Sequence, residues 1–158
     1  MKRHLVLVFL IISVLQLTAC SYMTDFVVVN ESDYSIEVRY KVKNYPYSYP
    51  FTPPTTPATI AASQLDTNGG QKWKELTSAQ YRLDQVNRTV TIRLMPHEAL
   101  RIVRTHDDSW HQDSSASELF PLEEINVVGT DGELSLKGRQ AFTSFSKVSS
   151  SLYTFTYK

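Results

Sequence analysis

Alternation of apolar and polar side chains dominates most of this chain. Tyr34, Ile36, Val38, Tyr40 and Val42 alternate with Ser35, Glu37, Arg39, Lys41 and Lys43. That is a period of two over ten residues, the mark of a strand with one face in a core and one in water. Phe26-Val27-Val28-Val29, just before it, is apolar at every position and predicts a strand buried on both faces. The turn formers Asn30-Glu31-Ser32-Asp33 lie between the two runs, so together they predict an antiparallel hairpin. Alternation returns at Thr89 to Leu94, and further strands are predicted at Ala99 to Arg104, Ile125 to Val128, Glu133 to Leu136 and Leu152 to Tyr157. A Gly129-Thr130-Asp131-Gly132 turn separates two of these. Lys72 to Tyr81 places Trp73, Leu76 and Gln80 at helical spacing and predicts a short helix or lid, while Gln140 to Lys147 suits helix or strand equally.

Short strands with turn chemistry between them, and no long helical segments, predict an all-β fold. The expected form is an antiparallel two-sheet β-sandwich, immunoglobulin-like or transthyretin-like in outline, with possible short helices. One stretch breaks the pattern. Asn44 to Pro57 holds five of the seven prolines, with Tyr45, Tyr47, Tyr49 and Phe51 at every second position. Proline removes a ladder donor, so residues 44–70 read as a crossover or edge segment. Its aromatic row is the candidate interaction surface; the same row also suits a loop packed onto the sandwich.

The N-terminal 20 residues follow different rules. Lys2, Arg3 and His4 precede thirteen residues, Leu5 to Leu17, in which only Ser13 and Gln16 are polar. Such a run is shorter than the roughly 20 residues needed to span a bilayer, and it suits the core of an export signal. It ends in Leu17-Thr18-Ala19-Cys20. This tetrapeptide resembles the lipobox of bacterial lipoproteins. The resemblance implies cleavage between Ala19 and Cys20 and a covalent lipid on Cys20. It also implies attachment to the cell envelope, and Ser21 in place of aspartate resembles an outer-membrane address facing the periplasm. The expected organisation is a cleaved signal peptide at 1–19, a short lipidated tether at 20–25 and one sandwich domain at 26–158. A five-residue tether holds that domain close to the bilayer, which favours membrane-proximal envelope proteins as partners.

Charge and composition narrow the function classes. The chain has 16 basic and 16 acidic side chains. Losing Lys2 and Arg3 with the signal leaves 14 and 16, a net −2 on 139 residues. A near-neutral domain has no electrostatic footprint for nucleic acid. The single cysteine, committed to lipid, leaves no disulfide and no thiol nucleophile. No Gly-x-Ser-x-Gly elbow or phosphate-binding glycine loop occurs, and Glu123 and Glu124, adjacent in a strand, are expected to point to opposite faces. No catalytic residues are assigned and no cofactor beyond the lipid is expected. The densest ligand cluster is His106-Asp107-Asp108-Ser109-Trp110-His111-Gln112-Asp113, with His97 upstream. His106 and His111 are weak candidates for a divalent metal, since His-x₄-His fits no closed zinc pattern. The expected function is therefore non-catalytic: a membrane-anchored envelope lipoprotein acting through protein–protein contact, accessory to an assembly or secretion system or serving as an immunity protein. The alternative is a periplasmic lipoprotein binding a small ligand or divalent metal.

Overall fold

The computed structural model describes residues 23–43, 51–66, 71–106 and 118–158. It is an all-β sandwich. In chain order the elements are β1 (Met23–Asn30), β2 (Ile36–Val42), β3 (Ala58–Ala61) with a 3₁₀ turn at Ala62–Gln64, β4 (Lys74–Glu75), β5 (Tyr81–Asp84), β6 (Thr89–Leu94) and β7 (Glu98–His106). Then follow β8 (Leu122–Gly129), β9 (Gly132–Lys137), α1 (Arg139–Thr143), β10 (Ser146–Ser149) and β11 (Leu152–Tyr157). One sheet runs β10-β11-β1-β7-β3-β4 and the other β5-β6-β2-β8-β9. All pairings are antiparallel except β1 with β11, which is parallel.

The cleanest sequence signal produces the cleanest element. In β2 every second residue (Ile36, Val38, Tyr40, Val42) is buried, and the residues between face outward. β6 and β8 add Val90, Ile92, Leu94, Leu122, Ile125 and Val127 to the same inner face. The opposing sheet supplies Phe26, Val28, Leu100, Ile102, Val103 and Tyr153. Ile102 and Val103 both reach this core because β7 carries an extra residue where Phe26 pairs with Val103 and Val27 with Arg101. Phe26 is the hub of an aromatic cluster, with ring centroids 4.9 Å from Phe120, 5.4 Å from Phe145 and 5.0 Å from Tyr153. Such pairs add about 0.5–1.5 kcal/mol each beyond their burial.

The continuous apolar run of β1 has a second cause. Val27 and Val29 point to the outer face, where Ala99, Leu152, Ile60, Ala62, Leu65 and Trp73 form a smaller cluster with them. The run is apolar throughout because both faces are covered, as predicted.

One expectation is corrected and two open ones are decided. β1 and β2 form no hairpin: they belong to different sheets, and residues 31–35 carry the chain across. Buried Asn30 fastens this corner, its Nδ2 donating to the carbonyls of Tyr34 (2.7 Å) and Met95 (3.0 Å). Its Oδ1 accepts from the Ser32 amide (3.1 Å) and hydroxyl (2.7 Å). No helix forms over 72–81, because Trp73 packs on the outer cluster while Leu76 enters the main core. Their spacing serves two cores rather than one helical face. The 140–147 stretch divides, with α1 ending at Thr143 and β10 beginning at Ser146.

Candidate contact surface

β1 starts at one end of the sandwich, paired with His106, and finishes at the other beside Ala99. These are the near and far ends. β2 runs back from far to near, so its outward residues Glu37, Arg39 and Lys41 map positions along the outer face of the five-stranded sheet. Neighbouring strands place Arg93, Thr91 and Thr89 beside them, with Arg82 and Asp84 on β5 beyond. β8 and β9 contribute Asn126, Ser135 and Lys137.

The near half of this face is electrically balanced. Lys41 Nζ lies 3.0 Å from Glu123 Oε1, Arg88 Nη2 lies 4.0 Å from Glu123 Oε2, and Lys137 Nζ lies 3.4 Å from Glu124 Oε1. Contrary to the sequence expectation, Glu123 and Glu124 serve the same face. Lys41 pairs with Glu124 and Val42 with Leu122, so Glu123 is the extra residue of a bulge. The Asn126 amide, followed by Lys137 and Ser135, holds the Glu124 carboxyl below its usual range. Asp84 is held low as well, first by the backbone N–H and then by the side chain of Asn87, so its oxygens close the 84–88 turn.

The far half differs. On β2, β5 and β6, three guanidinium groups surround one carboxylate, Glu37, and two of them bind it. Arg39 Nη2 lies 2.8 Å from Glu37 Oε1, and Arg82 Nη2 lies 3.0 Å from Glu37 Oε2. Arg93 turns both Nε (3.1 Å) and Nη2 (2.8 Å) onto the Ser35 hydroxyl, a neutral acceptor. Shallow hollows of about 430 and 470 Å³ flank this group. Ser35, Glu37, Arg93 and Gly129 line one, and Arg39, Arg82, Asn87 and Thr91 line the other.

The outer face of the six-stranded sheet is built for stability. Arg104 grips Asp25 through Nε and Nη2, both at 2.7 Å, across the β1–β7 pair. Arg101 is buried beneath Trp73, its Cζ 5.3 Å from the ring centroid. Burial, and secondarily Arg104, lower the Arg101 pKa.

Of the aromatic row, Phe51 is only 4 % exposed and belongs to the main core. It therefore offers nothing to a partner; the chain turns it inward as residues 51–57 cross between the sheets and Thr55 Oγ1 accepts from the Arg104 amide at 2.8 Å. Tyr45, Tyr47 and Tyr49 lie outside the described residues, as do Ala19, Cys20 and His111. His106 ends β7 at the near end. His97 sits at the far end of β7, 3.3 Å from Asp33, and the strand between the two histidines spans about 30 Å. His97 thus cannot join His106 at one ion. Among the described residues no group of three or more His, Cys, Asp or Glu is placed to hold a metal, and no helix is long and apolar enough to cross a membrane.

Arg39 and Arg93 were visible in the sequence only as polar positions of two strands, and Arg82 lay outside every predicted strand. Knowing that Glu37 pairs with Arg93 and Arg82 with Thr91 is what assembles the group. No protein-family model, curated protein or solved structure matches the chain.

Proposed function

We propose that this protein is a lipid-anchored component of the bacterial envelope, held through Cys20 in the outer membrane facing the periplasm. On this reading it acts without catalysis, by contact with membrane-proximal envelope proteins. The observation that supports it most is where β1 begins. Met23 already belongs to the sheet, which leaves Ser21 and Tyr22 between the lipobox cysteine and the folded domain. At ~3.4 Å per residue such a tether reaches about 10 Å, shorter than the five-residue one expected from sequence. The near end of the sandwich would then rest at the bilayer, with the polar outer face of the five-stranded sheet standing away from it and open to lateral partners. Two or three acyl chains on Cys20 would make the attachment stable, at about 0.8 kcal/mol per buried CH₂.

The test is fractionation. Wild-type protein should follow the membranes, and Cys20→Ser should release a soluble, folded domain. A Cys20→Ser protein that still sediments with membranes would contradict the anchor. Alanine at Tyr47 and Tyr49, followed by pull-down from envelope extract, tests the tyrosine strip separately. An unchanged set of partners with unchanged folding removes it as a contact surface.

A further inference from the structure

We propose that the Arg39–Arg82–Arg93 face is a docking surface for an acidic polypeptide segment; this deepens the contact reading above by naming the partner's chemistry. Three features of the geometry carry it. First, the far half of the β5-β6-β2 face carries an excess of positive charge: three guanidinium groups stand around the one carboxylate of these strands' far half, Glu37. Glu37 pairs with Arg39 and Arg82 while Arg93 bonds Ser35, and the next carboxylate in the row, Glu133 on β9, is three strands from Arg93. In the near half, a few ångströms along the same face, every cation has a carboxylate partner: Lys41 and Arg88 share Glu123 and Lys137 takes Glu124, with Asp84 as a third carboxylate beside Thr89. Second, Glu37 shows which ligand this arrangement takes. Its two oxygens bridge Arg39 and Arg82 at 2.8 and 3.0 Å across the row Arg39–Thr91–Arg82, two strand spacings or about 10 Å wide. Third, Arg93 presents the Nε/Nη2 fork that accepts a carboxylate side-on, yet spends it on the Ser35 hydroxyl. Among the described residues Arg93 makes no ion pair.

The shape favours an extended segment over a single small anion. The guanidinium groups spread over three strands of an open sheet, and the hollows beside them are shallow. Besides the arginines they are lined by Ser35, Asn87, Thr89 and Thr91 and by apolar Ile36, Leu83 and Val128. The Glu37 and Asp84 carboxylates also line them, of which Asp84 is turned onto Asn87. An extended chain with acidic residues at alternate positions places carboxylates about 6.6 Å apart, matching the distance along β6 between Arg93 and the Arg39–Thr91–Arg82 row. Its carboxylates would displace Glu37 from Arg82 and Ser35 from Arg93.

The experiment uses full-length protein in detergent, titrated into a fluorescent eight-residue oligoglutamate peptide and read by polarisation at low salt. Binding should be saturable and should fade at 0.5 M salt. Arg39→Ser/Arg82→Ser/Arg93→Ser should weaken it about tenfold or more, whereas Lys72→Ser/Lys74→Ser/Lys147→Ser, which removes equal charge elsewhere, should change it less than about twofold. Glu37→Gln should tighten binding several-fold, because it removes the competing internal carboxylate. The exposed single variant Arg82→Ser, expected to lose about threefold, serves if the triple variant fails to fold. Equal loss in the two triple variants, or weakening by Glu37→Gln, overturns the proposal. So does displacement of the peptide by inorganic phosphate at about millimolar concentration, which would mark a single-anion site, or equal binding to phosphatidylglycerol vesicles, which would mark a lipid surface. Fractionation of Cys20→Ser does not involve these arginines, so the anchor and the docking face can fail separately.

Discussion

Tyr40 carries the most informative single perturbation. Its ring is fully buried in the main core, on the inner face of β2, and its hydroxyl has no hydrogen-bond partner among the described residues. Burying a hydroxyl unpaired costs about 1–3 kcal/mol, whereas the six-membered ring without it keeps nearly all of its packing. Tyr40→Phe should therefore stabilise the fold by about 1–2 kcal/mol after a small loss of dispersion contact. For a domain of this size that is a rise in Tm of about 3–8 °C. Urea unfolding should show a higher midpoint with an unchanged m-value, since the surface exposed on unfolding is the same. A second readout comes from pH. Burial, with Tyr81 adding to it, raises the Tyr40 pKa above its ordinary value of 10.0. Below about pH 10 the phenol is protonated in both folded and unfolded chains and adds no pH dependence. Above it the unfolded chain sheds a proton that the folded chain keeps, so stability falls with rising pH by about 1.4 kcal/mol per unit for this one group. The stability difference between Tyr40→Phe and wild type should widen accordingly from pH 9 to 11. A Tyr40→Phe protein less stable by 1 kcal/mol or more, or a difference that stays flat with pH, would refute the account of this core.

Other positions make sharp predictions. Asn30→Ala removes four hydrogen bonds from the corner between the sheets and leaves the Tyr34 and Met95 carbonyls to find other donors; chemical denaturation should show a loss of about 2–4 kcal/mol. His97 occupies the third position of the Met95–Glu98 turn with φ 57°, behind Pro96, where a type II turn favours glycine. His97→Gly should raise the unfolding midpoint modestly, by about 0.5 kcal/mol after the added freedom of the unfolded chain, and a fall would show that the contact with Asp33 matters more. A Cβ at Gly129 would clash with Tyr157 Oη, so Gly129→Ala should push Tyr157 aside and cost about 1–3 kcal/mol, while Gly129→Ala combined with Tyr157→Phe should recover part of that loss.

The strands were legible because burial on one face writes itself as alternation, and β2, β6 and β11 lie where that period placed them, while β8 begins three residues before the predicted Ile125. The Gly129–Gly132 turn was equally plain, since two glycines flank a two-residue hairpin loop between β8 and β9. Pairing between strands was not legible. Val27 and Val29 announced a second buried face, but nothing local said that β1 would leave β2 for the other sheet and take β11 as a parallel neighbour. Asn30 looked like one more turn former, although its long-range bond to the Met95 carbonyl decides where the chain crosses. The same limit hid the contact surface. Phe51 stood out as an aromatic at an alternating position and proved to be core, while Arg39, Arg82 and Arg93, ordinary polar residues of three strands, converge only once register is known. Glu123 shows the limit in small: a one-residue bulge, invisible in the local pattern, puts it on the same face as Glu124.

The central claim is the lipid on Cys20, because such an anchor would place the near end of the sandwich at a membrane and limit which partners could reach the arginine face. Intact-mass spectrometry of the protein extracted from envelopes tests it in one measurement. The account predicts a chain that begins at Cys20, heavier than the 139-residue polypeptide by a diacylglyceryl group, with or without a further acyl chain. A chain that keeps residues 1–19, or one with an unmodified Cys20 thiol, would contradict it.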